Sequence, residues 1–152
     1  MKRFVYGILA CLLLALPYGG QADAAPPADA KTQSICIQVG EISFTATLLL
    51  NDTTAALLER MPVTLDMQEL HGNEKYVYFA EALPADSERV GNIQTGDLML
   101  YGTDCLVLFY KDFPTSYSYT RLGAIDNTDG LAEALGAGAV TITLELLQDK
   151  PE

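Results

Sequence analysis

The 152-residue chain holds no tryptophan, a single histidine (His71), three cysteines, and only nine basic residues against twenty acidic ones. Each scarcity removes a class of function. A metal centre needs convergent His, Cys or carboxylate ligands, and one histidine with widely spaced cysteines is a thin supply, so no metal site is expected. A net charge of −11 repels phosphate backbones and anionic lipid, which argues against a nucleic-acid partner and against membrane docking. No Gly-x-Ser-x-Gly elbow is present for a hydrolytic serine. His71 stands before Gly72-Asn73 in a turn-forming stretch, and it reads as a solvated loop histidine rather than a general base. No complete Asp-x-Asp-x-Asp-Gly calcium loop exists; Asp126-Asn127-Thr128-Asp129-Gly130 echoes one only in part and reads as a turn and helix cap. Gly136-Ala137-Gly138 follows an expected helix instead of opening one, so it is a helix stop and not a phosphate loop. No internal repeat is evident, and no cofactor motif is found.

What is present begins with a targeting signal. Lys2 and Arg3 form a basic start, and an apolar run follows from Phe4 to Leu16. At about 13 residues the run is short of the ~20 needed to span a bilayer. Pro17 to Gly20 break it, and Ala22-Asp23-Ala24 places small residues where a signal peptidase reads. Residues 1–24 are therefore expected to be a signal peptide cleaved after Ala24, with the protein exported to the periplasm or secreted, and with no membrane association after cleavage. Cys11 would leave with the leader. Without Lys2, Arg3 and Asp23, nineteen acidic residues remain against seven basic ones, a net charge of −12. Residues 25–33, small and proline-rich, read as a disordered linker. Residues 34–147 form the domain, and 148–152 a tail. Cys36 and Cys105 remain in the mature chain. An oxidising compartment permits their pairing as a disulfide, worth ~4 kcal/mol on the chain-entropy model, but the plainer reading is two separate small core residues.

Alternation of apolar side chains dominates the domain. Ile35, Ile37 and Val39, then Ile42, Phe44, Ala46 and Leu48 across Gly40-Glu41, predict a hairpin. Asp52 is placed to cap a helix of about two turns ended by Met61-Pro62, with Leu57 and Leu58 plugging it onto the sheet. Val63, Leu65 and Met67 predict a third strand, and Tyr76 to Phe79 the next, after a turn at residues 71–74. Residues 84–96 read as polar loop. Asp97 to Tyr101 and Cys105 to Tyr110 predict a second hairpin, whose Leu106-Val107-Leu108-Phe109 run indicates a strand covered on both sides. Residues 115–123 predict an extended strand with Tyr117, Tyr119 and Arg121 on one face. A short helix from Asp129 or Gly130 through Leu135 and a last strand at Val140, Ile142, Leu144 and Leu146 complete the chain. About eight short strands, two brief helices and no long crossover predict a mainly β fold, a small closed antiparallel barrel. A sandwich is the competing architecture.

Phe44-Thr45-Ala46-Thr47-Leu48, Leu57-Leu58-Glu59 with Met61-Pro62, Gly72-Asn73-Glu74-Lys75-Tyr76, Gly96-Asp97-Leu98-Met99-Leu100-Tyr101-Gly102, Leu106 to Tyr110 and Tyr117 to Gly123 resemble, in order, the cyclophilin-like domain of small bacterial proteins. The resemblance implies an eight-stranded barrel capped by two helices. It does not carry activity with it. The phenylalanine-histidine-arginine signature of active cyclophilins is missing, and Leu106-Val107-Leu108-Phe109-Tyr110 lacks the glutamine of their corresponding strand. No catalytic residue is assigned. Similar domains also occur beside flavodoxin-like modules, but nothing in this chain encodes a flavin site.

The best functional constellation is Tyr101, Tyr117, Tyr119 and Arg121 with Glu74, Lys75 and Tyr76. Tyrosines give rigid contact area with a polar tip, and arginine adds a forked donor. Together they predict a face that cradles a peptide or small-molecule ligand; the alternative is an aromatic rim that packs cross-strand. The expected function is a non-catalytic binding module, with a divergent prolyl isomerase as the competing reading.

Overall fold

The computed structural model describes residues 31–147. The expected signal peptide, most of the expected linker and the expected tail lie outside the described residues.

The first hairpin forms as the alternation requires. Strands β1 (Thr32–Val39) and β2 (Ile42–Leu49) pair from Thr32↔Leu49 to Val39↔Ile42, and Gly40 takes the left-handed φ of +59° that the tight turn needs. Ile35, Ile37, Val39, Phe44, Ala46 and Leu48 all turn inward and are buried. Helix α1 (Asp52–Glu59) starts one residue earlier than expected, because Asn51 and not Asp52 is its cap. Asn51 is still extended, at φ −139°, so its side chain can reach forward. Its Oδ1 accepts from Thr54 N at 2.8 Å while Thr54 Oγ1 accepts from Asn51 N at 2.9 Å, a reciprocal cap that satisfies two otherwise orphaned amides. Leu57 is fully buried beneath the helix and Leu58 packs partly against the core.

The remaining elements are β3 (Val63–Leu70), β4 (Glu74–Tyr78), β5 (Glu88–Arg89), β6 (Asn92–Ile93), β7 (Asp97–Tyr101), β8 (Cys105–Phe109), β9 (Phe113–Pro114), β10 (Ser118–Ile125), α2 (Leu131–Leu135) and β11 (Val140–Leu146). Eight antiparallel strands run in the order β2-β1-β11-β3-β4-β8-β7-β10, and β10 pairs with β2 to close the ring. The barrel is therefore closed, and the sandwich alternative falls. Residues 84–96 are not wholly loop: β5 pairs with β10, and β6 pairs with β9 in a two-stranded flap outside the barrel.

Closure depends on one glycine. At Gly123, where a bulge shifts the β10–β7 register after Arg121, a Cβ would lie 2.1 Å from Thr47 O and 2.8 Å from Leu48 Cα. No other residue type allows so close a backbone approach.

The two helices sit at opposite ends of the barrel. Strand β2 ends at α1, and β10, antiparallel to it, ends before α2. At the α2 end, Lys75 points inward and is fully buried. Its Nζ donates to Glu69 Oε2 at 2.7 Å, to Gly136 O at 2.8 Å and to Gly138 O at 2.5 Å. The helix stop at residues 136–138 thus also supplies acceptors for a buried ammonium, which suits the negative end of a helix.

Candidate functional site

Strand alternation gives the sheet two working faces. Leu106 and Leu108 of β8 face the barrel core, while Cys105, Val107 and Phe109 join a second, outer cluster with Ile93, Met99 and Tyr119. All five residues of β8 are buried, as the continuous apolar run predicts. The second cover is the β6–β9 flap, whose Ile93 and Phe113 pack on this outer face.

The flap leaves part of the outer face open. There a cleft of about 480 Å³ runs along β4 and β8. Its shape follows from the register. Tyr78 lies opposite Cys105 and Tyr76 opposite Val107, while Tyr101 stands on the other side of Cys105. Small side chains on β8 thus form a trough between tyrosine walls on β4 and β7. Tyr119 of β10 and Tyr117 of the preceding loop extend the second wall. Tyr101 meets Tyr117 edge to face at 6.0 Å and Tyr119 tilted at 5.6 Å, and Tyr76 meets Tyr78 edge to face at 5.9 Å. Phe113, Pro114, Thr115 and Ser116 form the lip.

Of the six tyrosines between residues 31 and 147, five line this cleft; Tyr110 is the exception. Three of them stand partly in solvent, Tyr78 at 62%, Tyr101 at 43% and Tyr117 at 61% exposed. Large rings are thereby gathered, solvent-facing, on one concavity.

The polar end of the cleft is the β3–β4 turn. Glu74 opens β4 there, and burial raises its carboxyl above the ordinary value, partly opposed by His71. His71 holds φ +54°, the one left-handed non-glycine among the described residues. Asn73 Oδ1 is buried with no hydrogen-bond partner, a deficit that calls for an explanation. Burial pushes the Cys105 thiol up to about 11 and the Tyr119 hydroxyl up to about 12, so the cleft holds no activated nucleophile from either.

The structure divides the seven residues read from the sequence. Glu74, Tyr76, Tyr101, Tyr117 and Tyr119 come together in the cleft. Lys75 does not, because one step along a strand turns the side chain to the opposite face, and Lys75 faces the barrel interior. Arg121 lies on the outer face but beyond Met99 and outside the cleft. Its Nε donates to Glu88 Oε1 at 3.0 Å and its Nη2 to Val90 O at 3.4 Å. It lines a separate depression with Asn51, Asp52, Asp86 and Glu88. The cleft residues that sequence reasoning missed are Leu70, His71, Asn73, Tyr78, Cys105, Val107 and the 113–116 lip. Tyr78 was legible, two residues from Tyr76 on the same face; the lip depends on β6–β9 pairing and carried no local signal.

Cys36 and Cys105 are free thiols on non-adjacent strands, so the paired alternative is not the state of this structure. Among the described residues no group of three or more His, Cys, Asp or Glu could hold a metal ion, and no helix is long and apolar enough to cross a membrane.

Residues 37–145 match the profile of a family described as the cyclophilin-like family. No curated protein matches in sequence. Among solved structures the chain is similar to the solution structure of the hypothetical protein AF2241 from Archaeoglobus fulgidus, with a TM-score of 0.51 and 15% identity over 80% of this chain and 100% of that one. That likeness is one of fold.

Proposed function

The chain belongs to the cyclophilin-like family, and from that premise we propose that it is an exported, non-catalytic binding module whose ligand, a peptide segment or small molecule, lies in the tyrosine cleft. The observation that carries the reading is the gathering of five of six tyrosines around one trough. Prolyl isomerisation in active cyclophilins, which this family resembles in fold, uses an arginine beside an aromatic-lined pocket. Here Arg121 is tied to Glu88 outside the cleft, and the cleft is lined by no arginine or lysine. Export rests on the sequence of residues 1–24.

A panel of proline-containing peptides separates binding from catalysis. With no tryptophan in the chain, tyrosine emission reports mainly on the cleft, where five of the six tyrosines among the described residues stand. Saturable change in that emission without acceleration of a coupled proline-isomerisation assay is the expected result. Acceleration abolished by Arg121→Ala would overturn the non-catalytic reading.

A further inference from the structure

We propose that the tyrosine cleft is a receptor for an organic cation, an alkylated or quaternary ammonium group seated among the rings with Glu74 as its counter-ion. The proposal rests on the reading of this cleft as the ligand site and names the chemistry of what fills it.

Three observations converge on positive charge. First, the walls are aromatic. Tyr76, Tyr78, Tyr101, Tyr117, Tyr119 and Phe113 surround a trough floored by Cys105 and Val107. The ring planes cross steeply, at 79° for Tyr76–Tyr78 and 81° for Tyr101–Tyr117, so neither pair is stacked face to face. Ring faces carry negative potential, and each contributes about 0.5–2 kcal/mol to a cation held within ~6 Å.

Second, the polar end of the cleft carries a carboxylate that no lysine or arginine pairs. Glu74 brings a half-buried carboxylate, and Asn73 Oδ1 is buried and unpartnered. Of the nearby cations, Lys75 is consumed by Glu69 and two carbonyls, and Arg121 by Glu88 and Val90. His71 stands at the rim beside Glu74.

Third, the alternatives fit badly. An anion would find no lysine or arginine in the lining. A neutral apolar ligand would strip water from Glu74, and an uncompensated buried charge is costly. A cation answers the carboxylate and the rings at once, and the net charge of −11 draws it in from solution.

A free alkylammonium molecule and a methylated lysine on a peptide share this chemistry. Calorimetric titration at pH 8 uses choline, its neutral carbon isostere 3,3-dimethylbutan-1-ol, and a short trimethyllysine peptide beside its norleucine counterpart. Binding of choline or the trimethyllysine peptide at least ~10-fold tighter than its neutral counterpart is expected, a gap of about 1.4 kcal/mol. Glu74→Gln should close most of that gap, and Tyr101→Ala should weaken cation binding about 10-fold, with thermal unfolding showing both variants folded. Whichever cation binds more tightly assigns the source. Equal affinity for cation and isostere overturns the cation and leaves the binding module standing. Binding of uncharged peptides with no binding of either cation does the same. Failure of every probe, charged and neutral, overturns both.

Discussion

Lys75 and Glu69 form an ion pair at 2.7 Å in which the lysine is wholly buried and the glutamate side chain keeps 20% of its exposure. The same Oε2 accepts from Tyr110 Oη at 2.7 Å, and Glu69 Oε1 accepts from Gly72 N at 2.5 Å. One carboxylate therefore ties together β3, the turn into β4, the end of β8 and, through Lys75, the stop after α2. The ammonium also lies 5.3 Å from the Tyr110 ring.

Removing the lysine leaves a carboxylate and two glycine carbonyls short of their donor. Lys75→Ala should cost about 3 kcal/mol, the lower end of the range for breaking a buried pair, because Glu69 retains some water. Lys75→Met keeps the stem and volume and should lose less. Urea denaturation midpoints check both; an alanine variant as stable as the parent would show that the pair is ornamental.

Acid should find the same pair. Burial alone would raise the Glu69 carboxyl, but the bonds from Lys75, Tyr110 and Gly72 outweigh it and hold it below the ordinary 4.5. The folded state then binds its proton less readily than the unfolded chain, so the contribution is present above about 4.5 and is lost as pH falls through the lowered folded value. Glu69→Gln should flatten the acid limb of a stability–pH curve while lowering stability at pH 7.

Glu74 runs the other way. Burial raises its folded carboxyl above the ordinary 4.5, so ionisation at neutral pH opposes folding. That penalty fades as pH falls from the raised value toward the ordinary one. Glu74→Gln should therefore raise the unfolding midpoint at pH 7, by a margin that shrinks toward pH 4, while weakening cation binding. A gain in stability paired with a loss of affinity is the mark of a residue kept for its ligand.

At Gly123 the prediction is steric. A methyl group directed at Thr47 O cannot be relieved by a rotamer change, since the obstructing atoms at 2.1 Å and 2.8 Å are backbone. Gly123→Ala should destabilise by about 3 kcal/mol or more, at the upper end of overpacking costs. Amide exchange should be fastest along β2 and β10, where the ring would part. Unchanged protection there would contradict the account of closure.

Among the described residues, two thiols should be countable. Alkylation in denaturant without reductant is expected to label both Cys36 and Cys105, which are unpaired in the structure. In the native protein at pH 8, Cys105 should react far more slowly than a free thiol, because its pKa stands at about 11 and only the thiolate attacks. Recovery of a Cys36–Cys105 disulfide would show a different packing of β1 against β8.

Residue alternation was sufficient to read the strands, while the choice of barrel over sandwich was decided by the pairing of β10 with β2. The side-chain period of two on Ile35-Ile37-Val39 or Val140-Ile142-Leu144 is a local property, enforced by the pleat whatever the strand pairs with. The doubly apolar β8 was legible for the same reason, since a strand without a polar face must be covered twice. The site was read only in part. Tyr101, Tyr117, Tyr119, Tyr76 and Glu74 were found as chemistry along the chain, and they converge because β4, β8, β7 and β10 are neighbours in the ring. That neighbourhood is a matter of pairing between distant segments, set by closure at Gly123 and by the β6–β9 flap. Lys75 and Arg121 show what was not legible. One was turned inward by the phase of its strand, and the other was drawn aside by Glu88, a residue thirty-three positions away. Side-chain periodicity is written in adjacent residues and survives in the bare sequence; the partner of a charge is chosen by the fold.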